Sequence, residues 1–356
     1  MNFFITMSNS LISQLHYPFT TPVHSAAVSI ETSTREWVQK FRLVSTDAPF
    51  QRFCSINYGW LGARFFPYAS FEAACLGSHW IAWLFILDDE FDELPVGREP
   101  AVLSQVCQKF IDILQTQESV TSDVAPTPLF LGLRDLQQRT LNMAPSPEWM
   151  QRFITSVRDY FAACIWESQN RNCKVPPSLE TYITMRQQAG AQALVVALME
   201  CLEEVVLPDR LLTHPRIQSL IVATENLTGW VNDILSVQKE IRAGDVYNLV
   251  LVLKHEYDVS LEQAISLAID MHNQEMRRFV MLADPLPDMG NEYDPLLQRY
   301  VTGLKALVRG TLDWTAGDAL TRYTVASTSS SGEPGLGNGH TSSLVALVVC
   351  QSLIDG

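Results

Sequence analysis

Charged side chains are scarce in this sequence of 356 residues, where they make up 18% against 47% for hydrophobic residues. This composition supplies a large apolar core and excludes an intrinsically disordered chain. Basic residues are the scarcer kind, because 25 Lys and Arg face 39 Asp and Glu, for a net charge of −14. A field of that sign repels the phosphates of nucleic acids and anionic lipid headgroups. We therefore expect binding neither to nucleic acid nor to a membrane surface.

Paired cysteines and long apolar runs are also missing. The seven cysteines are odd in number, scattered along the chain and never spaced as C-x-x-C, which indicates free thiols in a reducing compartment. The longest apolar run inside the fold, Trp80 to Leu87, is far shorter than the ~18 residues that a spanning helix needs. The N-terminus has no basic region followed by a compact apolar segment. We expect a cytoplasmic protein that does not insert into membranes.

The hydrophobic spacing is helical, and no stretch shows the sustained alternation of a sheet protein. The fold class is therefore all-α. Prolines punctuate the helical segments, and the breaks separate helices rather than domains. The predicted helices cover residues 72–92, 103–115, 149–167, 179–207, 217–242, 260–282 and 295–324. After Tyr323 the composition changes to a Ser/Gly-rich linker, ASTSSSGEPGLGNGHTSS, which predicts a flexible C-terminal tail over residues 325–356.

One predicted helix ends in a cluster of carboxylates, in the segment LFILDDEFDEL. Asp88, Asp89, Glu90, Asp92 and Glu93 follow directly on the apolar run WIAWLFIL. On a helix Asp88 and Asp92 share one face, and the repulsion between them is a local cost unless a cation relieves it. Mg²⁺ binds oxygen ligands, commonly one or two carboxylates together with substrate phosphates. The alternative is a solvated acidic helix end, and D-D-x-x-D alone does not decide between the two.

A second polar row occurs in GWVNDILSVQKEIRAGD. Asn232, Ser236 and Glu240 fall at i, i+4 and i+8, which places an amide, a hydroxyl and a carboxylate in one row along ~12 Å of helix. Three such oxygen donors can hold one Mg²⁺. Lys239 adjoins the row and could reach a phosphate. Periodicity leaves open whether the row faces a cavity or is an ordinary solvated surface.

These two motifs, in this order, resemble the metal-binding motifs of class I terpene synthases (terpene cyclases), especially the single-domain fungal and bacterial type. The aspartate-rich motif D-D-x-x-D is matched by Asp88, Asp89 and Asp92, and the motif N-D-x-x-S-x-x-x-E by Asn232, Asp233, Ser236 and Glu240. The family's diphosphate-sensing Arg is matched by Arg186, 46 residues before Asn232, and its linker and effector positions at a helix break by Ala189 and Gly190. Its C-terminal Trp and Arg-Tyr pair are matched by Trp314, Arg322 and Tyr323.

The resemblance runs from about Trp37 to Tyr323 and implies a helical bundle around a central active-site cavity. It implies a domain over residues 37–324, preceded by an N-terminal segment over residues 1–36 that is partly flexible. It also implies a cofactor of three Mg²⁺ ions, for which Mn²⁺ can substitute. The implied metal ligands are Asp88, Asp92, Asn232, Ser236 and Glu240. Around the diphosphate it implies Arg186, Lys239, Arg322 and Tyr323, with the Gly190 carbonyl turned toward the cation.

The resemblance implies Mg²⁺-dependent ionisation of a linear prenyl diphosphate, followed by cyclisation on aromatic faces that stabilise the cation. Phe85 and Trp314 are the candidate lining residues, whereas Phe65, Phe66 and Phe153 are more typical of core packing. The expected substrate is farnesyl diphosphate, giving a cyclic sesquiterpene. The alternatives are a diterpene synthase acting on geranylgeranyl diphosphate and a helical paralogue without activity. The protein is expected to be a monomer or a homodimer.

Overall fold

The computed structural model describes residues 10–44, 47–93, 97, 99–116, 127–170, 175–286 and 292–318. Most of these residues are helical, and no strand occurs among them. In chain order the helices are α1 (Ala27–Lys40), α2 (Asp47–Ile56), α3 (Tyr58–Phe65), α4 (Phe71–Glu93), α5 (Pro100–Gln115), α6 (Pro128–Met143), α7 (Pro147–Asn170), α8 (Leu179–Ala189), α9 (Gln192–Leu202), α10 (Asp209–Leu212), α11 (Pro215–Ala243), α12 (Leu249–Glu256), α13 (Leu261–Ala283) and α14 (Asp294–Asp313). A short π-helical turn, Trp314–Asp318, follows α14.

Local sequence sets where many of these helices begin. Proline occupies the first turn of α5, α6, α11 and α14, where its missing N–H has no intrahelical acceptor to lose. Ser178 caps α8 by accepting from the amide of Thr181. Ser260 and Gln263 form a reciprocal capping box at the start of α13. Since these signals are local, the predicted starts of α8, α11, α13 and α14 lie within two residues of the observed ones.

The all-α prediction is confirmed, but one predicted helix is wrong. The segment predicted as a single helix over residues 179–207 breaks into α8 and α9. Gly190 ends α8, and Ala191 takes a left-handed conformation with φ 53°. Periodicity predicted one continuous helix here, whereas the family resemblance implied a helix break at Ala189 and Gly190, where the structure has it. The structure also has helices that the periodicity did not predict, namely α1, α2, α3, α6, α10 and α12.

Helix α4 runs through the centre of the bundle. Trp80 and Trp83 on it are fully buried. Their indole N–H groups are satisfied inside the core, Trp80 donating to Thr140 Oγ1 (2.9 Å) and Trp83 to the Leu129 carbonyl (3.0 Å). A buried helix with satisfied polar atoms is a rigid support. Its last two turns carry the predicted acidic motif.

Helix α11 carries the second motif and is fixed from behind by α13 and α14. Residues of the predicted N-terminal segment, which precedes Trp37, are also buried in the bundle. Leu11 and Leu15 are buried in the same apolar cluster as Trp230 and Leu312, and Ile30 on α1 is fully buried. The packing of α11 against α13 and α14 thereby fixes the position of the second motif in the bundle.

Two expectations about the whole chain can be compared with the described residues. Cys54, Cys75, Cys107, Cys164 and Cys201 are free thiols, as predicted. Within the described part of the chain no helix is both long and apolar enough to cross a bilayer.

Candidate active site

A cavity of about 280 Å³ lies between α4, α7, α11, α14 and the break between α8 and α9. Along α4 and α11, which carry the two motifs, the side chains that line the cavity become more polar. On α4, Ile81, Leu84 and Phe85 lead to Asp88, and on α11 Thr228 leads to Asn232 and the rest of the second motif. The cavity therefore has an apolar chamber and a polar end with carboxylate, amide and ammonium groups. This suits a ligand with a long hydrocarbon chain and an anionic head.

The predicted row on α11 faces this cavity, because Asn232, Ser236, Lys239 and Glu240 all line it. The Ser236 hydroxyl donates to Glu240 Oε1 at 2.5 Å. A hydroxyl that has donated its proton keeps lone pairs that can coordinate a cation. The interpretation of this row as a plain solvated face is therefore wrong.

Asp88 brings a carboxylate to the cavity from α4, the other motif helix. Asp92 lies one turn further along α4, and its side chain is outside the described part of the structure. Within the described ranges no three His, Cys, Asp or Glu side chains converge as a ready metal site. The donors are instead hard oxygens divided between two helices, which is how Mg²⁺ is held when substrate phosphates complete its coordination. The donor set thus fits a hard divalent cation bound together with an anion.

Arg186, on the last turn of α8, lies across α11. Its Nε donates to Asp233 Oδ1 at 3.0 Å, and its Nη2 lies 2.9 Å from the same oxygen. Nη2 also lies 3.4 Å from Asn232 Oδ1, one of the candidate metal ligands. The family resemblance predicted that Arg186 contacts the diphosphate, and the structure places its side chain at the polar end of the cavity.

Gly190 lines the cavity next to this guanidinium. A Cβ at position 190 would lie 3.1 Å from Arg186 Nη1, so any side chain there would crowd the guanidinium. The peptide bond between Gly190 and Ala191 belongs to the break between α8 and α9. Among the described backbone bonds outside the helices, none ends on the Gly190 carbonyl oxygen.

Of the adjacent residues Asn232 and Asp233, only Asn232 is available to a cation, because the carboxylate of Asp233 is bound by groups of the fold. This carboxylate is buried, with Oδ1 bound to Arg186 and Oδ2 accepting from the Leu249 amide at 3.0 Å. Burial, and next the charge of Glu240, raise the pKa of Asp233 well above its usual range. Burial also raises the pKa of Glu240. Two carboxylates that are costly to ionise side by side favour a bound cation, which would lower both pKa values.

Aromatic rings form one wall of the chamber. Phe85 and Trp314 line the cavity, with ring centroids 5.6 Å apart, and Tyr58 packs behind both at 4.7 and 5.9 Å. Trp314 is fixed because its indole N–H is shared between the Ile56 and Asn57 carbonyls. Phe65 also lines the cavity. Phe153 packs against Trp80 and Trp149 in the core.

Sequence reasoning missed several lining residues. Tyr160 and Glu167 line the cavity from α7, and Gln192 lines it just after the helix break. Tyr160 and Glu167 are seven residues apart, so both lie on one face of α7. That spacing was readable, but nothing in the sequence set this face apart from the other apolar faces. The predicted pair Arg322 and Tyr323, and the predicted tail, lie outside the described residues.

Comparisons with known proteins agree with this arrangement. The family model described as terpene synthase family 2, C-terminal metal binding, matches residues 79–278 of the sequence. This range includes Asp88 and the whole second motif. A germacrene A synthase from Nostoc punctiforme is 33% identical over 86% of this chain and 94% of the relative. A (+)-T-muurolol synthase from Roseiflexus castenholzii, described as (2E,6E)-farnesyl diphosphate cyclizing, is 34% identical over 89% of this chain and 95% of the relative.

A similar solved structure is that of germacradien-4-ol synthase from Streptomyces citricolor. It superposes with a TM-score of 0.75 at 25% identity, covering 85% of this chain and 97% of that one. Fold and overall sequence thus agree. The chain belongs to the terpene synthase family, and it is an enzyme of the carbon–oxygen lyase class.

Proposed function

We propose that the protein ionises (2E,6E)-farnesyl diphosphate and cyclises it to a sesquiterpene, releasing inorganic diphosphate. The observation that carries the proposal is a cavity that combines an apolar aromatic chamber with a polar end lined by Asp88, Asn232, Ser236, Glu240 and Arg186. The Roseiflexus relative is described as cyclizing the same diphosphate. Intact donors on both helices argue against a paralogue without activity.

The metal proposed here is Mg²⁺, in a cluster of three ions as the family resemblance implies. Asp88 and Asp92 would hold it from α4, and Asn232, Ser236 and Glu240 from α11. When bound, these ions would neutralise the diphosphate and stabilise the charge that develops on it as it departs. A protein of net charge −14 needs such cations to attract an anionic substrate.

The chain's own residues would bind and orient the substrate. Arg186 has a planar guanidinium suited to paired contacts with phosphate oxygens, and Lys239 adds a point charge on the same side. Arg322 and Tyr323 are proposed to complete these contacts from the C-terminal segment. With substrate bound, the apolar chamber would exclude water, which would otherwise capture the cation.

After ionisation, the remaining groups would guide the cation. Phe85 and Trp314 line the chamber, and a cation against the face of either ring would meet the negative side of the aromatic quadrupole. The Gly190 carbonyl is proposed to add a dipole from the helix break. A volume of about 280 Å³ lies just below the range of about 300–1,000 Å³ that is usual for ligand pockets, which favours a C15 over a C20 chain.

The test is incubation of the purified protein with C10, C15 and C20 prenyl diphosphates, with and without Mg²⁺. Volatile products are identified by gas chromatography–mass spectrometry. We expect a cyclic C15 product only when farnesyl diphosphate and Mg²⁺ are both present. A cyclic C20 product would favour the diterpene alternative, and the absence of turnover in folded protein would contradict an enzymatic role.

A further inference from the structure

A buried asparagine outside both metal motifs contacts the end of the second one. Asn248 lies between the glycine that ends α11 and the start of α12, and its side chain is fully buried. Its Oδ1 accepts from the Val250 amide at 2.8 Å, which caps α12. Its Nδ2 donates to the Asp233 carbonyl at 2.8 Å and to Glu240 Oε2 at 2.5 Å. The partners fix this orientation of the amide, because the carbonyl of Asp233 only accepts and the amide of Val250 only donates.

These contacts hold the Glu240 carboxylate at both of its oxygens. Ser236 donates to Oε1 from the preceding turn of α11, and Asn248 donates to Oε2 from the following loop. Each carboxylate oxygen has a further lone pair, so the two bonds orient Glu240 without using up its capacity for a cation. Both donors are neutral, so they leave the negative charge of the carboxylate available for the metal. A lysine or arginine at position 248 would neutralise that charge.

We propose that Asn248 is a positioning residue for Glu240. A helix cap explains only the bond to Val250, and serine or threonine would serve as well there. The Nδ2 group, which reaches two acceptors on α11, requires an amide. Residues that orient metal ligands in this way typically contribute about 10- to 100-fold to metal affinity. This inference rests on the proposed function, because it takes Glu240 to be a metal ligand.

The experiment measures Mg²⁺ binding without turnover. The full-length protein is melted at a fixed concentration of inorganic diphosphate while Mg²⁺ is varied, and the Mg²⁺ concentration that gives half of the maximal Tm increase is recorded. Mg²⁺ and diphosphate together are expected to raise the wild-type Tm. Absence of any increase in the wild type would contradict the proposed metal site itself, and the role of Asn248 would fall with it.

The test variant is Asn248→Ser, which keeps a capping oxygen for α12 but is too short to reach Glu240. Asn248→Thr is the second variant, which fills more of the space if the first folds poorly. The matched control is Ser260→Ala, which removes the cap of α13, a helix whose N-terminal residues do not line the cavity. All three are expected to lower the Tm of the metal-free protein.

We expect the half-saturating Mg²⁺ concentration to rise about tenfold or more in Asn248→Ser and Asn248→Thr, and to change less than about twofold in Ser260→Ala. The Asn248 variants should also turn over farnesyl diphosphate more slowly at low Mg²⁺, and a high Mg²⁺ concentration should restore much of this activity. Glu240→Gln, which removes the carboxylate charge, should show no such rescue. An unchanged half-saturating concentration in either Asn248 variant would show that the residue is only a helix cap and would overturn the inference.

Discussion

The guanidinium of Arg186 and the buried carboxylate of Asp233 form an ion pair that joins α8 to α11, with Nη2 and Oδ1 2.9 Å apart. The same guanidinium reaches Asn232 Oδ1 on the cavity side. A substrate diphosphate would therefore compete with Asp233 for Arg186. In the proposed function, anion binding at the polar end would therefore act on the last turn of α8, which leads into the helix break.

Replacing Arg186 by leucine removes the guanidinium charge and its hydrogen bonds but keeps an apolar side chain at this position. Without the guanidinium, Asp233 is left buried beside Glu240 with no cation, so we expect the free energy of unfolding to fall by about 3 kcal/mol at pH 8. Loss of the cation raises the Asp233 pKa further, so the loss should shrink as pH falls and the native carboxyl retains its proton. Urea denaturation at pH 8 and pH 5 measures both values.

Arg186→Lys is the control for that variant, because it keeps the charge but loses the planar fork. It should recover part of the lost stability and little of the diphosphate release. A leucine variant as stable as the wild type at both pH values would show that the ion pair does not stabilise the fold.

Removing one carboxylate from the α4 motif should abolish chemistry without unfolding the protein. In Asp88→Asn, the side chain keeps its size but loses the charge that a divalent cation needs. We expect diphosphate release from farnesyl diphosphate to fall at least about 100-fold, with the circular dichroism spectrum unchanged. Asp112→Asn, on the exposed side of α5, is the matched control and should release diphosphate normally. Near-normal release by the Asp88 variant would remove Asp88 from the site.

Much of this site is predictable from the sequence, because its information is local. The i, i+4, i+8 spacing of Asn232, Ser236 and Glu240 fixes their common face, and the capping and proline signals fix several helix starts. The break at Gly190 is different, because periodicity predicted one continuous helix over residues 179–207 and only the family resemblance implied a break there. The contact between Asn248 and Glu240 joins two elements across a turn, and no periodicity reports it. Tyr160 and Glu167 likewise lie on a face whose role depends on the packing of α7.

Truncating a cavity aromatic should change the product rather than the rate of substrate consumption. Phe85→Leu removes the ring face beside Trp314, so cations that depend on it should be quenched earlier. We expect a larger share of acyclic and early-quenched products by gas chromatography–mass spectrometry, with farnesyl diphosphate consumption within about threefold of normal.

Phe153→Leu tests the difference between lining and packing. Phe153 lies in the core between Trp80 and Trp149. Its loss should lower stability by about 1–2 kcal/mol and leave the product profile as in the wild type. Equal product changes in the two variants would mean that core packing, and not the ring at position 85, sets the product.

A carboxyl group of α11 that the proposed chemistry does not use should give the protein a pH-dependent stability. Burial raises the pKa of Glu225 from 4.5 to about 7. The native state therefore retains a proton that the unfolded chain loses between about pH 4.5 and 7, so this group destabilises the fold increasingly as pH rises through that range. Glu225→Gln removes the ionisation and should raise the free energy of unfolding by about 3 kcal/mol at pH 8 and by less than about 1 kcal/mol at pH 5. The exposed Glu36→Gln on α1 is the control and should show no such pH dependence. Urea denaturation at the two pH values decides the matter, because a gain at pH 8 that is no larger than at pH 5 would mean that Glu225 ionises in the native state without cost.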